Sequence, residues 1–111
     1  MAGIQIEHRD GAAIITPTGS LVGGDGTERL ENMIEEVLKD MPGRVVLDFA
    51  GVDHMNSVGM AAVIRAHAAC RKRHIGFFVI RAPDRVRDVF DITRISTLGI
   101  LKDSFEETAA G

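Results

Sequence analysis

The spacing of apolar positions changes several times along the chain, and each change marks an element. In residues 25–41 the apolar side chains recur every third or fourth position, which is the period of an amphipathic α-helix. They are Leu30, Met33, Ile34, Val37, Leu38 and Met41. Asp25 and Glu28 have the spacing of a capping box, and Pro42-Gly43 is typical of a helix end. The pattern predicts one helix with a single buried face.

Two later runs are apolar almost without alternation, RVVLDFAG at 44–51 and IGFFVIRA at 75–82. A run of this kind is typical of a strand that is covered on both faces. The alanine-rich stretch from Ser57 to about Arg73 predicts a second helix between them. We therefore expect a right-handed parallel crossover from one strand to the next.

Shorter elements are expected towards the ends of the chain. The residues around Asp10-Gly11 predict a hairpin of two short strands, because this dipeptide readily adopts the positive φ angles of a tight turn. DRVRDVFDITRI after Pro83 has helical spacing, LGILKD is typical of a short edge strand, and SFEETAA predicts a terminal helix. The fold class is therefore α/β. Residues 1–111 are expected to form a single domain, in which one layer of mixed sheet with roughly four or five strands is packed by about four helices.

Composition excludes several classes of function. The 111 residues are 45% hydrophobic and 26% charged, as in soluble globular chains, and no apolar run approaches the ~18 residues of a membrane span. The first residues also lack the pattern of a signal peptide. We expect a cytoplasmic protein without membrane insertion. A net charge of -3 leaves no excess of cations to bind nucleic acid directly.

The reactive side chains predict no metal site and no cofactor. A single cysteine, Cys70, excludes an internal disulfide and every multi-cysteine metal centre. The histidines at positions 8, 54, 67 and 74 have no chelating spacing. The segment GGDG at 23–26 lacks the spacing of a phosphate-binding loop.

The turn NSVGM at 56–60 places one hydroxyl, Ser57, where the second helix begins. Ser57 or Asn56 would cap that helix, which is a sufficient reason for either residue type. A nucleophilic serine would instead need a base and an orienting carboxylate. His54 lies three residues before Ser57, but no Asp or Glu is spaced to support it, and the Gly-x-Ser-x-Gly pattern is absent. We therefore do not expect an enzyme.

Phosphorylation is the third role open to Ser57. A phosphate would add about -1.5 to -2 charges at a helix N-terminus, where the dipole favours an anion. The fold should tolerate it. A partner docked over the same turn would have to bury a hydrated dianion, so one modification would release the partner.

The same residues resemble the STAS domains, and among them the bacterial anti-sigma factor antagonists. The resemblance covers nearly the whole chain and rests on Leu47-Asp48, Gly51-Val52, Ser57, Gly59 and Met60, together with LVGGDGTERLENMIEEVL at 21–38. Three positions depart from the family pattern. Asn56 replaces the aspartate before the serine, Val58 replaces a second hydroxyl residue, and Val22 replaces an aspartate of the first loop.

The resemblance implies a regulator that acts by binding. Its partner would be an anti-sigma factor with serine kinase activity, which phosphorylates Ser57 and is thereby released, and a metal-dependent serine phosphatase would reset the switch. The expected docking surface comprises Val22, Gly23, Gly24, Asp25, Met55, Asn56, Ser57, Val58, Gly59 and Met60. For the two methionines, partner contact and internal packing both remain open. A weak homodimer also remains open.

Because Asn56 and Val58 depart from the family pattern, an alternative remains open. The chain would then be a STAS subunit that is not regulated by phosphorylation. Such a subunit would resemble those in stressosome scaffolds or on the ATPase of a lipid ABC transporter, with Ser57 as a contact or cap. A nucleotide-binding STAS domain is a third possibility, although the sequence supplies no phosphate loop for it.

Overall fold

The computed structural model describes residues 3–109. Six strands and four α-helices lie within this range. The strands are β1 (Ile4–Arg9), β2 (Ala12–Leu21), β3 (Arg44–Asp48), β4 (Gly51–Met55), β5 (Gly76–Ile80) and β6 (Leu101–Lys102). The helices are α1 (Asp25–Lys39), α2 (Ser57–Lys72), α3 (Asp84–Ile92) and α4 (Phe105–Thr108), with a 3-10 helix at Ile95–Leu98. No helix in this range is long and apolar enough to cross a membrane.

The strands form one mixed sheet in the order β1-β2-β3-β5-β6, and β4 lies beside the second half of β2. β1 and β2 are antiparallel, and the other pairs are parallel. Asp10 and Gly11 have φ angles of 52° and 78°, which confirms the predicted hairpin turn. The mixed α/β sheet and the parallel connection from β3 to β5 are confirmed.

The strand that pairs in parallel with β2 changes from β3 to β4 around Pro17. Residues 12–15 of β2 pair with β3, and residues 18–21 pair with β4. Proline has no N–H for a ladder bond, so it fits the point between the two partners. The expected number of strands was too low, because β4 was missed. Only Val52 and Met55 of β4 are buried, so it has no continuous apolar run.

The core lies on both faces of the sheet. Val45 and Leu47 of β3 face the larger cluster, to which α1, α2 and α3 contribute, whereas Val46 faces a smaller cluster closed by Phe105 of α4. This alternation explains why the run at 44–51 is apolar throughout. One layer of sheet is therefore packed by helices on both sides.

The stripe of α1 is confirmed at its buried positions, which include Leu30, Ile34, Val37 and Leu38. The expected capping box is wrong. α1 begins at Asp25 itself, Gly24 occupies the N-cap, and no side chain caps the helix. Instead the Thr27 hydroxyl accepts a hydrogen bond of 2.9 Å from the Gly23 N–H. The helix ends at Lys39, earlier than expected, and Met41 beyond it is 60% exposed.

Candidate functional site

The pairing of β2 with β4 determines where the candidate site lies. Leu21 and Met55 are register partners at the carboxyl ends of these two parallel strands. The segments that follow β2 and β4 therefore leave the sheet at the same end. The Leu21 carbonyl accepts a hydrogen bond of 3.4 Å from the Asn56 N–H. A Cβ on Gly23 would lie 3.3 Å from Cγ1 of Val58. The loop at 22–24 and the start of α2 are therefore in contact.

Asn56 is the residue that caps α2. Its Oδ1 accepts hydrogen bonds from the Val58 N–H at 3.0 Å and the Gly59 N–H at 3.2 Å. Its Nδ2 donates to the Val22 carbonyl at 3.4 Å. One side chain thus satisfies two amides of the first turn and ties the helix to the neighbouring loop. An aspartate could supply the first function but not the second, because an ionised carboxylate has no donor.

Ser57 is the first residue of α2, and it is exposed. Its hydroxyl makes no hydrogen bond to any of residues 3–109. The first turn of α2 contains no acidic residue. An anion added here would therefore meet the positive end of the helix dipole without a neighbouring carboxylate in that turn. Two of the first amides are already bonded to Asn56, so the dipole and not a set of empty N–H groups would favour the anion.

The predicted docking residues divide into an exposed and a buried set. The exposed set comprises Val22, Gly24, Asp25, Asn56, Ser57 and Val58, and Gly23 is half-buried. Val22 and Val58 are 45% and 49% exposed, which is high for apolar side chains. These two valines flank Ser57 with an apolar surface that a partner could cover.

Met55, Gly59 and Met60 are buried, so in this structure they pack inside the domain and present little surface to a partner. Met55 is 7% exposed and Met60 is 2% exposed, and both belong to the larger core cluster. Gly59 lies against the end of β2, where a Cβ would come within 2.0 Å of the Leu21 carbonyl oxygen. Gly59 therefore allows the close approach of α2 to β2 and positions the site from below.

His54 is bonded away from Ser57. Its Nε2 lies 2.9 Å from Nη1 of Arg85 on α3. The guanidinium can only donate, so Nε2 is the acceptor in this arrangement. No hydrogen bond within residues 3–109 joins His54 to Ser57, so the turn contains no serine–histidine pair for nucleophilic catalysis.

Asp48, at the end of β3, is a buried carboxylate with three donors. It accepts hydrogen bonds from the Ala50 N–H at 3.2 Å, from Nε of Arg81 at 3.1 Å and from Nη2 of Arg81. This hydrogen bonding and the charge of Asp48 raise the pKa of the Arg81 guanidinium. The pair joins the ends of β3 and β5 and leaves Asp48 with a structural role.

Sequence reasoning missed both arginines. Arg81 and Arg85 are 33 and 31 residues from their partners, so local spacing carried no signal for either contact. Within the described range, no group of three or more His, Cys, Asp or Glu residues could hold a metal ion. The candidate site therefore comprises the exposed hydroxyl of Ser57, an apolar rim formed by Val22 and Val58, and the start of α2 capped by Asn56.

Comparison with protein families identifies one match. The family model of the STAS domain matches residues 3–108, which is nearly the whole chain. No curated protein matches the sequence at a significant level.

Several solved structures have the same fold at low sequence identity. An anti-sigma factor antagonist from Mycobacterium paratuberculosis is 22% identical, with a TM-score of 0.84 over 99% of this chain and 92% of that chain. The anti-sigma factor antagonist SpoIIAA in its unphosphorylated form is 18% identical, with a TM-score of 0.79 over 97% and 93% of the two chains. The phosphorylated form of Bacillus SpoIIAA is 17% identical, with a TM-score of 0.74 over 97% and 96%.

The fold also occurs in transport proteins. A sulfate transporter family protein from Wolinella succinogenes is 19% identical, with a TM-score of 0.72 over 92% of this chain and 84% of that chain. At these identities the likeness establishes the fold only. Any inference about function must come from the residues around Ser57.

Proposed function

The chain belongs to the STAS domain family, and from that premise we propose that it is an anti-sigma factor antagonist controlled at Ser57. It acts by binding and not by catalysis. Its partner is a cytoplasmic anti-sigma factor with serine kinase activity, which the unmodified protein occupies so that the sigma factor is free. Phosphorylation of Ser57 ends the binding, and a metal-dependent serine phosphatase restores it.

The observation that carries the proposal is the state of Ser57. Its hydroxyl is exposed, makes no hydrogen bond within residues 3–109 and stands on a helix turn without acidic residues. A kinase can reach such a hydroxyl without unfolding the helix. The phosphate formed there is stabilised by the helix dipole, so the modified protein keeps its fold.

The effect of the phosphate on the partner follows from its position on the apolar rim. Val22 and Val58, which are about half exposed, lie on the two segments that meet beside Ser57. A partner that covers this rim must also cover Ser57. Burying a dianion without paired donors costs several kcal/mol, and each 1.4 kcal/mol is about tenfold in affinity.

The test is to incubate the protein with a kinase-type anti-sigma factor from the same genome and Mg-ATP, and to map the phosphate by mass spectrometry. We expect one phosphate on Ser57 that is absent from Ser57→Ala. Binding of the unmodified protein should weaken at least about a hundredfold in Ser57→Glu, the equivalent of about 2.7 kcal/mol. Ser96→Glu, which adds the same charge in the 3-10 helix after α3, is the control and should bind as the native chain does.

The alternative is a STAS subunit that does not switch. It is favoured by Asn56, which already satisfies two amides of α2 and binds the adjacent loop, so the turn is complete without a phosphate. A stable complex that leaves ATP intact and Ser57 unmodified would support this alternative and contradict the switch. Failure to bind any kinase-type anti-sigma factor would reject the antagonist function altogether.

A further inference from the structure

β1 forms one edge of the sheet, and its outer side has no strand beside it within residues 3–109. Every residue of β1 except the half-buried Ile4 is exposed. An edge strand of this kind presents a row of unpaired N–H and C=O groups, which another strand can pair with.

The hydrogen bonds of the hairpin identify which backbone groups are free. The Thr18 N–H donates to the Gly3 carbonyl at 2.8 Å, so the backbone of Gly3 faces β2. Backbone direction alternates along a strand, so the odd-numbered residues of β1 face β2 as well. The N–H and C=O groups of Ile4, Ile6 and His8 therefore point to the open edge.

Ile6 adds an apolar side chain to this edge. It is 40% exposed, and it lies in a strand, unlike the other large exposed hydrophobic residues of the described chain. Its register partner is Ile15 of the main core, so Ile6 points to the same face as α1. Ile4 and Met33 line an open hollow beside it. Within residues 3–109, the edge thus has backbone groups without a strand partner and a partly exposed apolar strip.

We propose that β1 pairs with β1 of a second copy, antiparallel and about a two-fold axis through Ile6. In this register Ile6 lies opposite Ile6, Ile4 opposite His8, and Gln5 opposite Glu7. The outward groups of Ile4, Ile6 and His8 all find partners, which gives about six hydrogen bonds across the axis. The two exposed isoleucines lie directly opposite each other in a cross-strand pair.

Charge, backbone direction and the number of bonds disfavour the other symmetric registers. An axis through Gln5 would pair Ile4 with Ile6 and leave His8 without a partner in β1. An axis through Glu7 would set two carboxylates opposite each other, which is destabilising. An axis through His8 would oppose Ile6 to Asp10. An axis between two residues would pair outward backbone groups with inward ones and form no ladder. The axis through Ile6 is therefore the register that pairs all three outward residues within β1 without opposing like charges, and such self-complementarity is expected of a two-fold interface.

The interface is small, so the dimer should be weak and dependent on concentration. Sedimentation velocity on the full chain over a wide range of concentrations measures it directly. Ile6→Lys places two ammonium groups across the axis and should weaken dimerisation at least about tenfold. The matched control is Ile92→Lys, because Ile92 is 82% exposed on α3, and it should dimerise as the native chain does. A native chain that stays monomeric throughout, or an unchanged Ile6→Lys, overturns the proposal.

A second pair of variants tests the register. Gln5→Lys creates two symmetry-related pairs with Glu7 and should tighten the dimer about fivefold, and adding Glu7→Lys should reverse that gain. Amide hydrogen exchange gives an independent reading. Exchange at Ile4, Ile6 and His8 should slow as concentration rises, whereas exchange at the odd-numbered residues of β1 should not. Tightening without this alternation, or protection at another surface, would contradict the pairing.

Discussion

α1 and α2 leave the same edge of the sheet side by side, yet their first turns differ in chemistry. α1 begins after Gly24 with no side-chain cap, and its first turn carries Asp25 and Glu28. α2 begins with two amides bonded to Asn56 and carries no acidic residue in its first turn. The first turn of each helix has backbone N–H groups without a partner inside the helix, and the two helices differ in the side chains near these groups. Only at the start of α2 would an added negative charge meet no carboxylate in the first turn.

The difference indicates why a modification would be placed on α2. At α1 the positive end of the dipole already has two carboxylates near it, and a phosphate would be repelled by them. At α2 the cap is the neutral amide of Asn56, and the first turn carries no carboxylate. The exposed face of α2 also carries Val58 and Ile64, at 49% and 41% exposure, whereas the apolar stripe of α1 faces the core. α2 is therefore the helix that presents an apolar surface and a free hydroxyl together.

The largest effect should come from the glycines that set the two helix starts. In Gly59→Ala the new Cβ would lie 2.0 Å from the Leu21 carbonyl oxygen, so α2 must move away from β2, and we expect a loss of at least about 3 kcal/mol. Gly24→Ala meets open space, but its φ of 76° and ψ of -154° lie in a region almost confined to glycine, so we expect a smaller loss of about 1–3 kcal/mol. Urea denaturation of both variants measures the contrast. Equal losses would show that the two helix starts tolerate change alike.

The next largest loss of stability should come from removing Asn56, the cap of α2. Asn56→Ala removes the acceptor of two amide hydrogen bonds and should cost about 1–2 kcal/mol of unfolding free energy. Ser57→Ala, one residue later, should change stability by less than about 0.5 kcal/mol, because the exposed hydroxyl bonds to no other described residue. Denaturant titrations of the two variants compare cap and modification site. A Ser57→Ala loss as large as that of Asn56→Ala would assign Ser57 a structural role.

The smallest effect concerns pH and distinguishes α2 from α1, which has no histidine. Partial burial, helped by the charge of Arg71, lowers the pKa of His67 below its usual 6.5. The unfolded chain therefore takes up this proton first as pH falls. The contribution of His67 to stability is complete above pH 6.5 and declines as the pH drops below it. Thermal melts of His67→Gln should show a weaker dependence on acid than melts of the native chain, and parallel curves would refute this account.

Periodicity was sufficient to predict the elements that the core fixes. The stripe of α1 and the unbroken apolar runs of β3 and β5 follow directly from which faces are buried. β4 was missed because Asp53 and His54 are exposed and interrupt its apolar residues. Short parallel strands of this kind are defined by their neighbour, here the second half of β2, and not by their own pattern.

The site was predictable in position but not in detail. Ser57 at the start of a helix could be located from the sequence, since cap residues and strand ends have local signals. The burial of Met55 and Met60 could not, because it depends on how closely Gly59 brings α2 to β2. The capping box at Asp25 failed for a similar reason. The two glycines before it give the loop a path that starts the helix one residue earlier than a cap at Asp25 would.

The change of partner along β2 has a consequence for how the protein is made. The second half of β2 emerges from the ribosome early, but the strand that completes its edge, β4, follows only after α1 and β3. Until β4 and the beginning of α2 have been synthesised, the loop at 22–24 lacks its contacts with Asn56 and Val58. The surface around Ser57 can therefore form only after the beginning of α2 has been added to the nascent chain.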